Sequence, residues 1–203
     1  MNFFKKKQKV VFDVGACDGE FLKRYVNSPA VDIYAFEPIL EKAVFLSGKW
    51  KNVYVAPVAI DESPGWKKFN HNKFEAASSL LSFNPDVLKS WKINDSKEDI
   101  SQTSERLVLC QRLDDFCFQR GISQISILKI DTQGNDLSVL RSLGKYLEVT
   151  EQIIVEVPAG NEPLYREGST RANIEQYLIS NGFRCVLEEI QSLGQEFNLH
   201  FVK

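Results

Sequence analysis

Short apolar runs alternate along this chain with stretches whose hydrophobic residues recur at helical spacing, and no other pattern restricts its possible folds as much. Val10–Val14, Ile33–Phe36, Val53–Ile60, Ile125–Ile130 and Gln152–Val157 read as strands. This alternation predicts βαβ units, and so an α/β fold with a mostly parallel sheet and helices on both faces. Ile125–Ile130 is almost continuously apolar, as a strand covered on both sides requires.

The helical segments follow from periodicity and end signals. The segment 18–27 places Phe21, Leu22, Tyr25 and Val26 on one face. Pro38 suits the first turn of a helix through about Leu46, with Gly48 as its stop. Leu113-Asp114-Asp115-Phe116 starts a short helix ended by Gly121. Gly134-Asn135-Asp136 opens another, with Asn135 and Asp136 as its cap and Leu137, Leu140 and Leu143 facing inward. Ser169 or Thr170 caps a helix that carries Ile174, Tyr177 and Leu178 and stops at Gly182. Arg184–Glu189 and Phe197–Val202 form a closing hairpin across Ser192-Leu193-Gly194.

Residues 61–106 differ in character, with Pro64-Gly65, a polar Asn70-His71-Asn72 tip and a charged run over 94–105. They read as an insertion with an extra strand pair, Trp66–Phe69 against Leu107–Gln111. Long insertions in compact α/β domains are more often functional than idle. A chain of 203 residues fits one domain, 1–203, that includes this insertion.

Composition narrows the function. A net charge of −2 argues against general nucleic-acid binding, and the Lys5-Lys6-Lys7 cluster reads as a solvated end. Two histidines exclude a histidine-rich metal centre. Four cysteines without a C-x-x-C pair read as reduced thiols in a cytoplasmic protein. No segment is long and apolar enough to insert in a membrane. Strand one begins about ten residues into the chain, leaving little to cover a ligand. The expectation is therefore a module of a larger multidomain protein, or one aided by a partner subunit, with a bulky acceptor.

In open α/β sheets ligands bind beyond the carboxyl ends of the strands, where strand order reverses. Polar residues collect at those ends. Asp13, Gly15, Asp18 and Gly19 follow strand one, Glu37 closes strand two, and Asp61 follows strand three. Asp131 closes strand four and Glu156 lies near the end of strand five. An acidic residue about 20 positions beyond a glycine turn is placed to accept both ribose hydroxyls of an adenosine, and Glu37 stands there.

The glycine turn separates the candidate cofactors. A dinucleotide site requires G-x-G-x-x-G around its pyrophosphate, but here Cys17 and Glu20 replace the second and third glycines. Asp13 and Asp18 would also repel a pyrophosphate at short range. S-adenosylmethionine has no pyrophosphate, and its sulfonium and ammonium suit carboxylates. A nicotinamide-dependent oxidoreductase is thus the weaker alternative, and a catalytically silent interaction module of the same fold is the third reading.

Several motifs together resemble the FkbM family of S-adenosylmethionine-dependent methyltransferases over nearly the whole chain. They are Phe12-Asp13-Val14-Gly15-Ala16-Cys17-Asp18-Gly19, Ala35-Phe36-Glu37-Pro38, Ala77-Ser78-Ser79-Leu80, Leu113-Asp114-Asp115-Phe116, and Leu128-Lys129-Ile130-Asp131-Thr132-Gln133-Gly134-Asn135-Asp136. Cys17 stands where asparagine is more frequent, and Gln133 and Asp136 where glutamates are usual. The resemblance implies a Rossmann-like class I methyltransferase sheet with an antiparallel closing strand. It also implies O-methylation of a sugar, glycan or secondary-metabolite hydroxyl. Carried over residue by residue, it puts Asp13, Gly15, Ala16, Cys17, Asp18, Gly19, Glu37, Pro38, Ala59, Ile60, Ser78, Ser79 and Asp131 around the cofactor. Asp13 serves equally as a strand-end residue bonding local amides, and Ser78 and Ser79 equally as turn caps.

Methyl transfer requires in-line placement of the acceptor oxygen and a group to take its proton. Asp131 is the leading candidate base and Glu156 the second. Lys129 shares a sheet face with Asp131, where an ion pair and a substrate role are equally open. His71 and Tyr165 lie in loops within reach of an acceptor. A Mg²⁺ held by Asp131, Glu156, Asn135 and Asp136 is the less favoured mechanism, because charge complementarity to a sulfonium already accounts for the acids.

Overall fold

The computed structural model describes residues 8–50, 52–91, 100 and 102–203. In chain order the strands are β1 (Lys9–Val14), β2 (Val31–Phe36), β3 (Val53–Ala56), β4 (Ala59–Ile60), β5 (Gly65–Asn72), β6 (Gln102–Gln111), β7 (Ile125–Ile130), β8 (Thr150–Pro158), β9 (Arg184–Gln191) and β10 (Glu196–Val202). The α-helices are α1 (Leu40–Lys49), α2 (Pro85–Leu88), α3 (Leu113–Arg120), α4 (Asp136–Ser142) and α5 (Arg171–Ser180).

Seven strands form the main sheet in the order β3-β2-β1-β7-β8-β10-β9. The pairs among β3, β2, β1, β7 and β8 are parallel, while β10 runs antiparallel to both of its neighbours. Strand order reverses between β1 and β7, so the crevice beyond their carboxyl ends is the natural ligand position. Two apolar layers cover the sheet. Phe12 and Val14 of β1 face one layer with Leu113, Phe116, Leu140, Ile174 and Leu178, from α3, α4 and α5. Val11 faces the other, with Leu22 and with Leu46 of α1. This period of two along β1 is what a strand buried on both faces shows. Phe116 meets Phe12 and Phe36 edge-on at centroid separations of 5.9 and 4.8 Å. Each such pair adds roughly 0.5–1.5 kcal/mol to the burial itself.

The helix ends follow their sequence signals in two places. The Thr170 and Asn173 side chains cap each other's backbone amides in a reciprocal box at the start of α5. Gly121 adopts φ 64° and closes α3.

Elsewhere local expectations give way. Over 18–27 the structure has only a 3₁₀ turn, Phe21–Arg24. Its amides bond three residues back, and Pro29 disfavours helical geometry in the residue before it. The expected apolar face survives, with Leu22 buried and Phe21, Tyr25 and Val26 packed beside it. Gly48 does not end α1, which runs on to Lys49. An exposed helical glycine costs only about 1 kcal/mol and is tolerated there. The third strand is broken in two: β3 stays in the main sheet, and β4 pairs with β6. Pro57 stands at the break, where its missing N–H cannot extend a ladder.

The insertion builds a second sheet, β4-β6-β5. The expected pair is present but longer, with Trp66 opposite Leu109 and Phe69 opposite Arg106. Its inner face, Phe69, Val108 and Cys110, packs on Ile39 and Ala59 next to the strand ends. Among the described residues no helix is long and apolar enough to cross a membrane.

Candidate active site

The turn after β1 is fixed by backbone contacts. The Gly15 and Ala16 amides both donate to the Phe36 carbonyl, at 3.0 and 3.2 Å. Gly15 has φ 81°, and a Cβ there would lie 1.8 Å from the Asp131 carbonyl oxygen. The β1 and β7 turns therefore touch through bare backbone, and no side chain fits between them.

Glu37 is the anchor of the neighbouring cavity. The Cys17 amide donates to Oε2 and the Ile39 amide to Oε1, each at 2.8 Å. Burial pushes its carboxyl up to about 7, against the opposing pull of those two amides. Each oxygen keeps further acceptor capacity, which two vicinal hydroxyls would use. The cavity holds about 550 Å³ and has apolar walls of Val58, Ala59, Ile60, Phe69 and Leu80. A flat aromatic base suits such walls and a ribose suits Glu37, so the residues present fit the adenosine end of S-adenosylmethionine.

Of the sequence candidates, Gly15, Cys17, Glu37, Pro38, Ala59, Ile60, Ser78 and Asp131 line this cavity. Asp13, Ala16, Asp18, Gly19, Ser79 and Lys129 do not. Asp13 is buried, 2% exposed, and among the described residues its Oδ2 has no hydrogen-bond partner. Burial raises its carboxyl to about 7, although Lys129 opposes the shift. Ala16 is a core residue. Asp18 is exposed and bonds Lys42 at 2.7 Å; Lys42 also reaches Glu75 at 3.0 Å, linking the turn to the insertion. Gly19 has φ 72° and abuts Trp50 and Leu46, so its backbone conformation and its packing both call for glycine. The Ser79 hydroxyl donates to the Gln133 carbonyl at 2.7 Å, and the Ser78 hydroxyl accepts from the Asn72 amide at 3.0 Å.

A second, larger cleft of about 960 Å³ adjoins the first and shares Gly15, Cys17, Ala76, Asp131 and Gln133 with it. Its floor is acidic. Lys129 bonds Asp131 at 3.1 Å, and the Gln133 amide donates to Asp131 Oδ1 at 2.9 Å and to Glu156 Oε2 at 3.1 Å. The buried Tyr165 hydroxyl lies 2.8 Å from Gln133 Oε1 and 2.9 Å from the Ala77 carbonyl, and its single proton serves either acceptor. The Asp131 side chain is about a third exposed, toward the cleft.

The charges of this group are interlocked. Burial would raise Asp131, but Lys129 and its hydrogen bonds outweigh that and hold it below the usual carboxylate range. Burial and the Asp131 charge lift Glu156 well above that range. Burial also raises Glu196, at the start of β10, to about 7.

The structure revises the expected helix cap. The Asn135 side chain makes no cap bond on α4; it donates to the Ile60 carbonyl and Asp61, at 3.2 and 3.3 Å. Asp136 instead ties down Thr132, accepting from its amide and hydroxyl at 2.9 and 2.8 Å. Among the described residues no group of three or more acidic, histidine or cysteine side chains is arranged to hold a metal. His71 lies 3.5 Å from Glu75 in the insertion and lines neither cavity. Gln133 and Glu196 did not stand out as site residues in the sequence. Gln133 had one local signal, its place two residues beyond Asp131; Glu196 had none.

The family model described as the methyltransferase FkbM domain matches residues 13–185. The chain belongs to the FkbM methyltransferase family. It is an S-adenosylmethionine-dependent methyltransferase, and its sheet is of the class I methyltransferase type. Solved structures similar to it include a SAM-dependent methyltransferase from Aquifex aeolicus, at 12% identity over 97% of this chain and 85% of that one, with a TM-score of 0.47. Another is the Burkholderia thailandensis 1,6-didemethyltoxoflavin-N1-methyltransferase with bound 1,6-didemethyltoxoflavin and S-adenosylhomocysteine, at 10% identity over 97% and 72%, with a TM-score of 0.47. A third is the 16S rRNA methylase ArmA, at 10% identity over 97% and 75%, with a TM-score of 0.42. Among curated proteins, none matches the methyltransferase in sequence.

Proposed function

We propose that this methyltransferase acts on a hydroxyl oxygen of a sugar, a glycan or a secondary metabolite, which binds in the larger cleft. One observation carries the reading: the two cavities share a wall at Asp131 and Gln133, so a group in one faces a group in the other. When bound, the donor supplies an electrophilic methyl group on a sulfonium sulfur.

The chain's own residues supply placement and a proton acceptor. Glu37, with Gly15, Cys17, Ala59 and Ile60, forms the donor side. Phe74 and Trp91 offer apolar faces in the larger cleft, while Asp131, Gln133, Glu156 and Glu196 offer planar polar groups. Aromatic faces with charge-assisted hydrogen bonds suit a ring that has apolar C–H faces and hydroxyl edges. Asp131 orients the acceptor hydroxyl and takes its proton as the C–O bond forms. An alcohol becomes acidic during that step, so a carboxylate of low basicity suffices. Lys129 keeps Asp131 ionised. The four cysteines are free thiols in the structure, which supports a cytoplasmic location.

Labelled S-adenosylmethionine offered with sugars, oligosaccharides and small alcohols tests the proposal. Label should appear on oxygen, and Asp131→Asn should reduce turnover by about 10²–10⁴ with far less change in donor affinity. EDTA should leave the wild-type rate unaltered. Label found only on nitrogen or carbon, or loss of activity in EDTA restored by Mg²⁺, would overturn this mechanism.

A further inference from the structure

Gln133 is held more completely than any other residue of the acidic group. Its backbone has φ 56°, a conformation that L side chains rarely adopt and that persists only where surroundings enforce it. Its carbonyl accepts from Ser79 of the insertion, its side-chain oxygen lies at the Tyr165 hydroxyl, and its side-chain nitrogen bonds both carboxylates. Gly134 follows with φ 94°, and a Cβ there would sit 3.0–3.2 Å from the Tyr165 side chain. Tyr165 is itself 3% exposed and stacks on Phe83 at 5.0 Å.

We propose that Gln133, oriented by Tyr165, is a positioning residue that holds Asp131 and Glu156 as one pair at the junction of the two cavities. The inference rests on Asp131 as the acceptor's base and names what keeps it in that role.

A carboxamide has two faces, and only one fits here. With Oε1 toward Tyr165, the nitrogen supplies one proton to each carboxylate. Turned by half a rotation, the amide oxygen would meet anionic Asp131, and the nitrogen would face the Tyr165 oxygen. When the Tyr165 hydroxyl donates to the amide oxygen and not to the Ala77 carbonyl, it disfavours that turn. Other charged or titratable groups also face the pair: Lys129 on β7, Asp13 on β1, Glu196 on β10 and Asp136 on α4. Among the described residues, none of them has a hydrogen bond to both carboxylates.

Tyr165→Phe keeps the ring against Phe83 and removes only the hydroxyl. Gln133→Leu removes both donors. Side-chain carboxyl resonances of ¹³C-labelled Asp and Glu, followed with pH in the ligand-free protein, read the pair directly. In Gln133→Leu Asp131 should titrate upward by about one pH unit, because a donor to its charged form is lost, and in Tyr165→Phe it should move the same way, because the amide is no longer held in its donating orientation. The acid limb of the kcat profile should move with it. The kcat should fall about tenfold, and in Tyr165→Phe, which leaves the donor cavity wall intact, the Kd for S-adenosylhomocysteine should stay within twofold of wild type. Asp131 and the acid limb unmoved in both variants, with that Kd retained, would overturn the proposal. The carboxyl shift together with a methyl group found on nitrogen would support the positioning role while overturning the hydroxyl reading.

Discussion

The two sides of the proposed active site are built differently. On the donor side, backbone fixes the two anchors: Glu37 is held by the Cys17 and Ile39 amides, and Gly15 by the Phe36 carbonyl and the Asp131 backbone. On the acceptor side, side chains hold side chains, with Gln133 between Asp131, Glu156 and Tyr165. Backbone positioning tolerates almost no change of residue at its contacts. A side-chain network tolerates change in shape but not in hydrogen-bond polarity.

The largest expected effect tests the backbone side. Gly15→Ala combines a positive φ with overlap against the Asp131 carbonyl, so it should cost about 3 kcal/mol or more. Gly121→Ala is the control: its φ is also positive, at 64°, but nothing lies within 4 Å of its added Cβ. It should cost about 1–2 kcal/mol. Urea unfolding of the two variants measures both values, and equal losses would remove the close approach of the two turns from the account.

A smaller effect lies at the buried Asp13 of β1. Folding raises Asp13 from 3.8 to about 7, so the folded state keeps a proton that the unfolded chain has released over that interval. Stability associated with Asp13 is therefore fully present below about pH 4 and is lost as pH rises toward 7. Asp13→Asn removes that loss and should stabilise the ligand-free protein by roughly 1–3 kcal/mol at pH 8, and little at pH 4. Melting temperatures at the two pH values measure it. Destabilisation at pH 8 would mean that ionised Asp13 has a stabilising partner.

The same contrast explains what could be read in advance. Gly15, Glu37 and Asp131 stand at strand ends, at spacings that a βαβ unit dictates, so linear pattern placed them. β7 and the hairpin β9–β10 were equally legible from apolar runs and turn residues. Tyr165 was legible as a loop residue near an acceptor, but its bond to Gln133, 32 residues earlier, and the approach of Glu196 from the far side of the hairpin come only with folding. The break at Pro57 carried a local signal, but continuous β-branched character on both sides masked it. Over 18–27, apolar spacing identified the buried face while the backbone settled for a 3₁₀ turn, since packing needed the face and not a full helix.

The most direct test of the central claim, that the donor lies in the Glu37 cavity, is calorimetric titration of S-adenosylhomocysteine and NAD into the wild type and Glu37→Gln. Glutamine would turn an –NH₂ toward one of the two backbone amides and lose the charge that accepts the ribose hydroxyls. S-adenosylhomocysteine should bind the wild type and lose about tenfold or more in affinity to Glu37→Gln, equivalent to about 1.4 kcal/mol, and NAD should give no binding heat. Undiminished affinity in Glu37→Gln, or tighter binding of NAD than of S-adenosylhomocysteine, would contradict it.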